Sequence, residues 1–264
     1  MAIQFQDLAV LPSGAKPDQT GEHGILRQMA MGCSLSYMAV GSRRELRRNQ
    51  TIDEILTIAV EVMAEVGVAG LSLSEVARRL GIRPPSLYKY FPSRLALFDR
   101  LFQLGHQQHL DDFRAGAGAA EPGLPALINA VQAGGRWAMV NQSLAQLLFW
   151  RPVPGFEPSA EAYAPSRAMV EDVRRMLGDA VERGQLGPGA ATAEGAAVLS
   201  ILVTGMLSQQ LANNPGESFE DGQFTRLAPQ IFAMFRDRYP PTEEPHGNSR
   251  AHRTAQPATR RRGR

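Results

Sequence analysis

The stretch from Gly70 to Leu97, GLSLSEVARRLGIRPPSLYKYFPSRLAL, restricts the fold of this chain more than any other. Helix starts and helix stops follow one another in it at close spacing. Ser72, with Glu75 three residues on, forms a capping box that opens a short helix through Val76, Ala77 and Leu80. Gly81 breaks that helix, and Pro84-Pro85 suits the first turn of the next. Phe91-Pro92 ends the third helix, because the residue before a proline disfavours the helical region. Ser93 then caps a longer fourth helix carrying Leu95, Phe98, Leu101 and Phe102. Helix, glycine turn and short helix in this order predict a helix-turn-helix, with Leu73, Val76, Ala77, Ile82 and Leu87 packed between its two short helices. The remaining face, Arg83, Ser86, Tyr88, Lys89 and Tyr90, is basic, hydroxylated and aromatic. The major groove of DNA admits one helix bearing such side chains.

The rest of the chain reads as helix as well. Thr51 and Glu54 form a second capping box, followed by Ile52, Ile55, Leu56, Ala59, Met63 and Val66 at helical spacing until Gly67. Further helices are expected near 124–140, 142–150, 165–183, 190–213 and 221–238, with a proline-rich loop over 151–163 and another at 213–216. Nothing alternates with period two, so the expected class is all-α. Residues 1–42 hold scattered glycine and proline and no sustained period, and are expected to be a disordered extension, with Met31 and Met38 as alternative starts. The expected division is a helix-turn-helix DNA-binding domain over 43–95, a helical ligand-binding and dimerisation domain over 96–240, and a disordered basic tail over 241–264.

Hydrophobic residues make up 44% and charged residues 20%, which argues against wholesale disorder. The lone Cys33 excludes an internal disulfide framework and a multi-cysteine zinc site. No targeting segment is visible, and the most apolar stretch, Ala196 to Leu207, looks too short to span a bilayer, so a cytoplasmic protein is expected. The net charge of +2 says less than its distribution: Arg43, Arg44, Arg47 and Arg48 cluster just before the first strong helix.

The segment Ser86-Leu87-Tyr88-Lys89-Tyr90-Phe91, followed by Ser93-Arg94 and Leu97, resembles the DNA-binding domain of the TetR family of bacterial repressors over roughly residues 45 to 102. A weaker likeness runs through Trp137-Ala138, Asn141, Leu144 and Leu147-Leu148-Phe149. The resemblance implies that Tyr88, Lys89 and Tyr90 lie along the DNA, and that Arg83, Pro84 and Ser86 sit near bases. It implies that Ser72 and Arg94 clamp the phosphate backbone at helix N-termini, and that Arg47, Arg48 and Thr51 reach neighbouring phosphates. Pro85 departs from the small or flexible residue of many relatives.

Catalytic constellations are poor. There is no phosphate-cradling glycine loop, nucleophile elbow or paired-acid arrangement, and His106 and His109 lack a nearby third metal ligand, so neither an enzyme nor a metal or cofactor is expected. The central helices carry Trp137, Met139, Phe149, Trp150, Phe156, Tyr163 and Met169, with His106, Arg136, Asn141 and Gln209 as polar anchors; together these are the candidate lining of a small-molecule pocket. Small residues Ala193, Ala197, Thr204, Gly205 and Ser208, with the stripe Leu227, Ile231, Met234 and Phe235, are candidates for a homodimer interface. The expectation is a repressor that binds a pseudo-palindromic operator on double-stranded DNA as a homodimer and is released by a small, mainly hydrophobic effector. The alternatives are a DNA-binding protein without small-molecule control, or an activator.

Overall fold

The computed structural model describes residues 43–241, so the expectations for 1–42, for Cys33 and for the basic tail from 242 onward lie outside the described residues. Among the described residues every regular element is helical. Nine α-helices follow in order: α1 (Arg43–Val66), α2 (Leu73–Arg79), α3 (Pro84–Leu87), α4 (Arg94–Gly118), α5 (Leu124–Val140), α6 (Gln142–Trp150), α7 (Ala164–Glu182), α8 (Ala193–Asn213) and α9 (Ala228–Arg238).

The first helix begins earlier than its capping box suggested. Thr51 lies inside α1, where its hydroxyl donates to the Arg47 carbonyl at 3.0 Å. Arg43 to Gln50 contain no breaker, and a threonine hydroxyl is satisfied as well by the carbonyl four residues back as by a cap. The last two helices start later than expected, at Ala193 and Ala228, whereas the boundaries around the helix-turn-helix rest on the local chemistry read from the sequence. Gly67 leaves α1 with φ 78° and Gly81 leaves α2 with φ 74°, a region costly for any side chain. The Ser72 hydroxyl accepts the Glu75 amide at 3.2 Å, and the Ser93 hydroxyl accepts the Ala96 amide at 3.1 Å. The third helix is shorter than expected: α3 closes at Leu87, and Tyr88 to Tyr90 form a turn. Pro84 and Pro85 fill its first turn and offer no N–H, so the coil is held by later bonds such as Phe91 N–H to the Leu87 carbonyl at 3.0 Å.

The fourth helix is the spine. Its N-terminal turns bury Leu97, Phe98 and Leu101 in the same core as Leu56, Val76 and Leu87, and its later turns bury Leu110 and Phe113 against α5 and α7. The sequence boundary between 95 and 96 therefore falls inside one continuous helix. Close crossings are made at glycines. A Cβ on Gly116 would lie 2.6 Å from the Asn129 carbonyl oxygen of α5, and one on Gly105 would lie 2.7 Å from Leu148 Cδ1 of α6.

The eighth helix exceeds the length read from its apolar stretch. At 21 residues it is long and apolar enough to cross a membrane, yet most of that surface is buried against α5, α7 and α9. At its C-terminal end Gln210 is fully buried. Its Oε1 accepts the Phe224 amide at 2.9 Å, and its Nε2 donates to the Asn214 carbonyl at 2.7 Å and to Glu217 at 3.2 Å. One side chain thus ties down the strap joining α8 to α9.

Two histidines sit on the inner face of α4. His106 meets Phe102 edge-on at 4.5 Å, and His109 stacks on Trp137 at 4.8 Å. Burial holds both imidazoles neutral and pushes each down to about 3.

Two predictions follow from this packing. Gly116→Val should cost about 1–3 kcal/mol by overpacking the α4–α5 crossing, whereas Gly178→Ala, where a Cβ meets nothing within 4 Å in α7, should be neutral or stabilising. Thermal unfolding of both variants measures the contrast. The histidines bind protons in the unfolded chain below its ordinary value near 6.5 but not in the folded one until about 3. Stability therefore falls between those limits as pH drops, by about 1.4 kcal/mol per pH unit for each histidine. Urea titrations from pH 7 to pH 4 should show that slope reduced by half in His106→Phe.

Candidate nucleic-acid interface

The short α2–α3 pair is locked from beneath. Leu87 is fully buried and Phe91 nearly so, while Val76 and Ala77 of α2 close over them. This fixes which side of α3 and the following turn looks outward. Arg83, Pro84, Pro85 and Lys89 are exposed, Ser86 is half-buried, and Tyr88 is 51% exposed despite its size. Tyr90 is half-buried, with the Arg48 guanidinium 5.3 Å above its ring.

That contact joins α3 to the start of α1. Arg43, Arg44, Arg47 and Arg48, paired at i and i+4 along one side of α1, line a groove with Thr51, Lys89 and Tyr90 of about 660 Å³. The structure therefore brings Arg47, Arg48, Thr51, Lys89 and Tyr90 to one groove, and adds Arg43 and Arg44. Their helical register was the available signal, hidden by placing the helix start at Thr51. Thr51 itself lines the groove with its hydroxyl proton engaged by the Arg47 carbonyl, so in this state it has no proton to donate to a phosphate.

Ser72 and Arg94 stand at the exposed N-terminal ends of α2 and α4. The Arg94 guanidinium donates to the Ala69 carbonyl at 3.4 Å and lies over Phe98, which holds it against the corner between α1 and α2. The arginines of α2 are engaged elsewhere: Arg78 pairs with Glu75, and Arg79 bridges Glu75 and Glu65. Hydrogen bonds from Arg78 and then Arg79 hold the Glu75 carboxyl at about 2.

The interior candidates divide. His106 lies with Phe156 and Tyr163 around Phe102, whose ring is 6.0 Å from Phe156 and 5.0 Å from Tyr163. Trp137 and Phe149 flank His109, and Met169 joins His109 in lining a cavity of about 20 Å³. Asn141 caps α5 by donating to the Trp137 carbonyl. Three candidates are not brought to the interior. Arg136 pairs with Glu220 at 3.0 Å on the surface, Trp150 is 42% exposed with its indole N–H on Ser208, and Gln209 is exposed beside Asn213. Each sits on the outward side of its helix. Sequence reading missed Phe113, Val131, Gly134, Gly135 and Val173 of the cavity wall. The glycine pair was a usable signal, since a Cβ at Gly134 would lie 2.7 Å from His109 Nε2 and one at Gly135 would lie 2.2 Å from the Phe219 ring. Among the described residues no third metal ligand joins the two histidines.

Residues 55–101 match the family described as bacterial regulatory proteins, tetR family. An HTH-type transcriptional regulator of Mycobacterium tuberculosis is 31% identical over 119 residues, which is 44% of this chain and 50% of the relative. The chain thus spans about half the length of the curated relatives from mycobacteria that it matches. The tetracycline repressor protein class A of Escherichia coli is 40% identical over 47 residues, 18% of this chain and 22% of that protein. A solved regulatory protein is similar at 26% identity with a TM-score of 0.57, covering 74% of this chain and 97% of that one. The fold is also that of the transcriptional regulator FadR from Bacillus subtilis, solved in complex with stearoyl-CoA, at 14% identity, TM-score 0.58 and 69% and 96% coverage. The family match falls on α1 to α4, and the fold likeness extends through the helices beyond them: over residues 55–101 the chain matches the tetR family of bacterial regulatory proteins, and its remaining helices share the fold of solved regulators.

Proposed function

We propose that this chain is a dimeric transcriptional repressor that binds a pseudo-palindromic operator through α3 and its flanks, and that a small, mainly hydrophobic molecule releases it. The observation that carries the DNA-binding reading is the outward face of α3 and its turn. Tyr88 and Lys89 stand free of the core beside four α1 arginines, a preformed cationic surface on a groove-sized projection. In this reading Lys89, Tyr88, Tyr90, Arg43, Arg44, Arg47 and Arg48 meet phosphates, Arg83, Pro84 and Ser86 approach base edges, and Ser72 and Arg94 flank them. The chemistry is binding rather than turnover, and no enzyme activity is assigned.

The dimer reading is supported by an apolar face on α8 and α9. Ile201 is 58% exposed, Met234 59% and Leu227 42%, while Gly205 has open space where a side chain would project. Grouped apolar exposure of this kind marks an association surface. Phe235, expected in the same stripe, instead faces the core at 1% exposure against Tyr239, because it lies on the inner side of α9. Effector control is supported by α4, which carries the inner wall of the cavity and ends at the helix-turn-helix. Relatives of this fold include a regulator solved in complex with stearoyl-CoA, which joins a long apolar acyl chain to a charged nucleotide.

Operator selection followed by salt-dependent binding tests the first reading. Lys89→Ala should weaken binding to all sequences alike and lower the salt slope by about one per protomer. Arg83→Ala should change which sequence is preferred. An unchanged slope in Lys89→Ala would mean that α3 does not face the phosphates. Gly205→Arg should convert the protein to a monomer by light scattering and abolish operator binding together with it; a monomeric wild-type protein at micromolar concentration would rule out the dimer.

A further inference from the structure

The cavity beside His109, at about 20 Å³, has room for one water rather than an organic molecule. It does not stand alone. Phe113 of its wall also lines an open cleft of about 390 Å³ on the surface, a volume suited to a small-molecule site. The two spaces meet at Phe113, the cavity among α4, α5, α7 and α8 and the cleft among α4, α5 and α7. Along α4, His109 borders the cavity, Phe113 borders both spaces and Arg114 borders the cleft. Along α7, Val173 borders the cavity and Met176, one turn on, borders the cleft. Phe113, 2% exposed, is the residue that the two spaces share.

The two ends differ in chemistry. The cavity is apolar, and its polar wall residue is the neutral His109, whose Nδ1 has no hydrogen-bond partner among the described residues. An ionised group there would meet no opposite charge on the wall. The cleft has an apolar floor of Phe113, Ala126 and Met176 beneath a charged rim. On that rim Arg114 and Arg175 both bond Asp172, at 2.7 and 2.8 Å, with their side chains 52% and 63% exposed. One carboxylate cannot use all the N–H donors of two guanidinium groups, so each arginine keeps donors that Asp172 leaves unused. Arg183 lies beside the cleft as well, its Cδ packed near Gly123, and the remaining acid of the lining is Asp179. The lining itself sets Arg114 and Arg175 against Asp172 and Asp179, and Arg183 adds a third guanidinium at its edge.

We propose that cleft and cavity are two parts of one site for an amphipathic organic anion, and this rests on the effector-responsive reading above. A carboxylate head group takes the free donors of Arg114 and Arg175, for which a planar guanidinium is well matched. The apolar tail turns the Phe113 ring aside and enters the space between His109, Gly134 and Val173. Head and tail cannot exchange places, since the inner end has nothing to neutralise a charge.

The test is calorimetric titration of the full chain with decanoate and with 1-decanol, compounds equal in chain length and different in head group. The wild-type protein should bind decanoate at least about tenfold more tightly, the advantage expected of a charge-assisted pair. Added salt should shrink that advantage. Arg114→Gln with Arg175→Gln, both at half-exposed positions, should abolish it and leave decanol binding and operator affinity unchanged. Val173→Trp, which fills the inner space, should weaken both compounds, with melting temperatures of all variants as the control for folding. Equal binding of the two compounds by the wild type, or a preference that survives in the double arginine variant, overturns the proposal. If equal binding is still weakened by Val173→Trp, the head-group assignment fails and the interior effector site stands. If neither compound binds, the proposed ligand class is wrong, and operator release by other compounds decides the effector reading separately.

Discussion

Both halves of the molecule are packed on one helix. The 25 residues of α4 form an unbroken hydrogen-bond ladder, about 37 Å long at 1.5 Å per residue. Leu97, Phe98 and Leu101 at one end close the core of α1 to α3, and Leu110 and Phe113 at the other close the core of α5 and α7. In the proposed effector response, a displacement of Phe113 would be carried along this one helix toward Ser93 and Arg94.

The packing around α4 is tight in an uneven way. At Gly116 the Asn129 carbonyl of α5 leaves no room for a side chain, and at Gly105 a Leu148 methyl occupies the place of a Cβ. Around His109 the same helices are held apart by an imidazole and two aromatic rings, Trp137 and Phe149, and a small space remains. Close-packed interiors deform little, so this is the part of the interface with room to give. The strap from α8 to α9 bears on the same place. Its Phe219 ring lies over Gly135, and the Gln210 amide holds the strap in position.

Features that depend on neighbours in sequence were legible before the structure. Ser72, Ser93, Gly67 and Gly81 act through bonds or backbone angles within a few residues, and each stands at the boundary it was expected to make. Thr51 shows where this fails: its hydroxyl has two local solutions, a cap or the carbonyl four residues back, and only the continuation through Arg43 to Gln50 decides. The helix-turn-helix surface was readable because alternation of core and exposed residues is sharp there, as between Leu87 and Tyr88. In the later helices it was not. Large apolar residues lie on both sides of α6, so nothing local separates buried Phe149 from exposed Trp150. The cavity wall is drawn from four helices, and contacts such as that between Gly134 and His109 leave no mark at short range beyond the unexplained glycine itself.

The double proline at the start of α3 has a consequence of a different kind. Pro84 and Pro85 set their own backbone angles through covalent rings, where other helices depend on hydrogen bonds and side-chain packing. The turn that carries Ser86, Tyr88 and Lys89 is thereby rigid before any partner arrives, and ordering it on contact costs little entropy. Its shape is also indifferent to events in the core. A signal arriving along α4 can change where this turn stands and how it is angled, while the turn itself keeps one form, as a key does whichever way the wrist is bent.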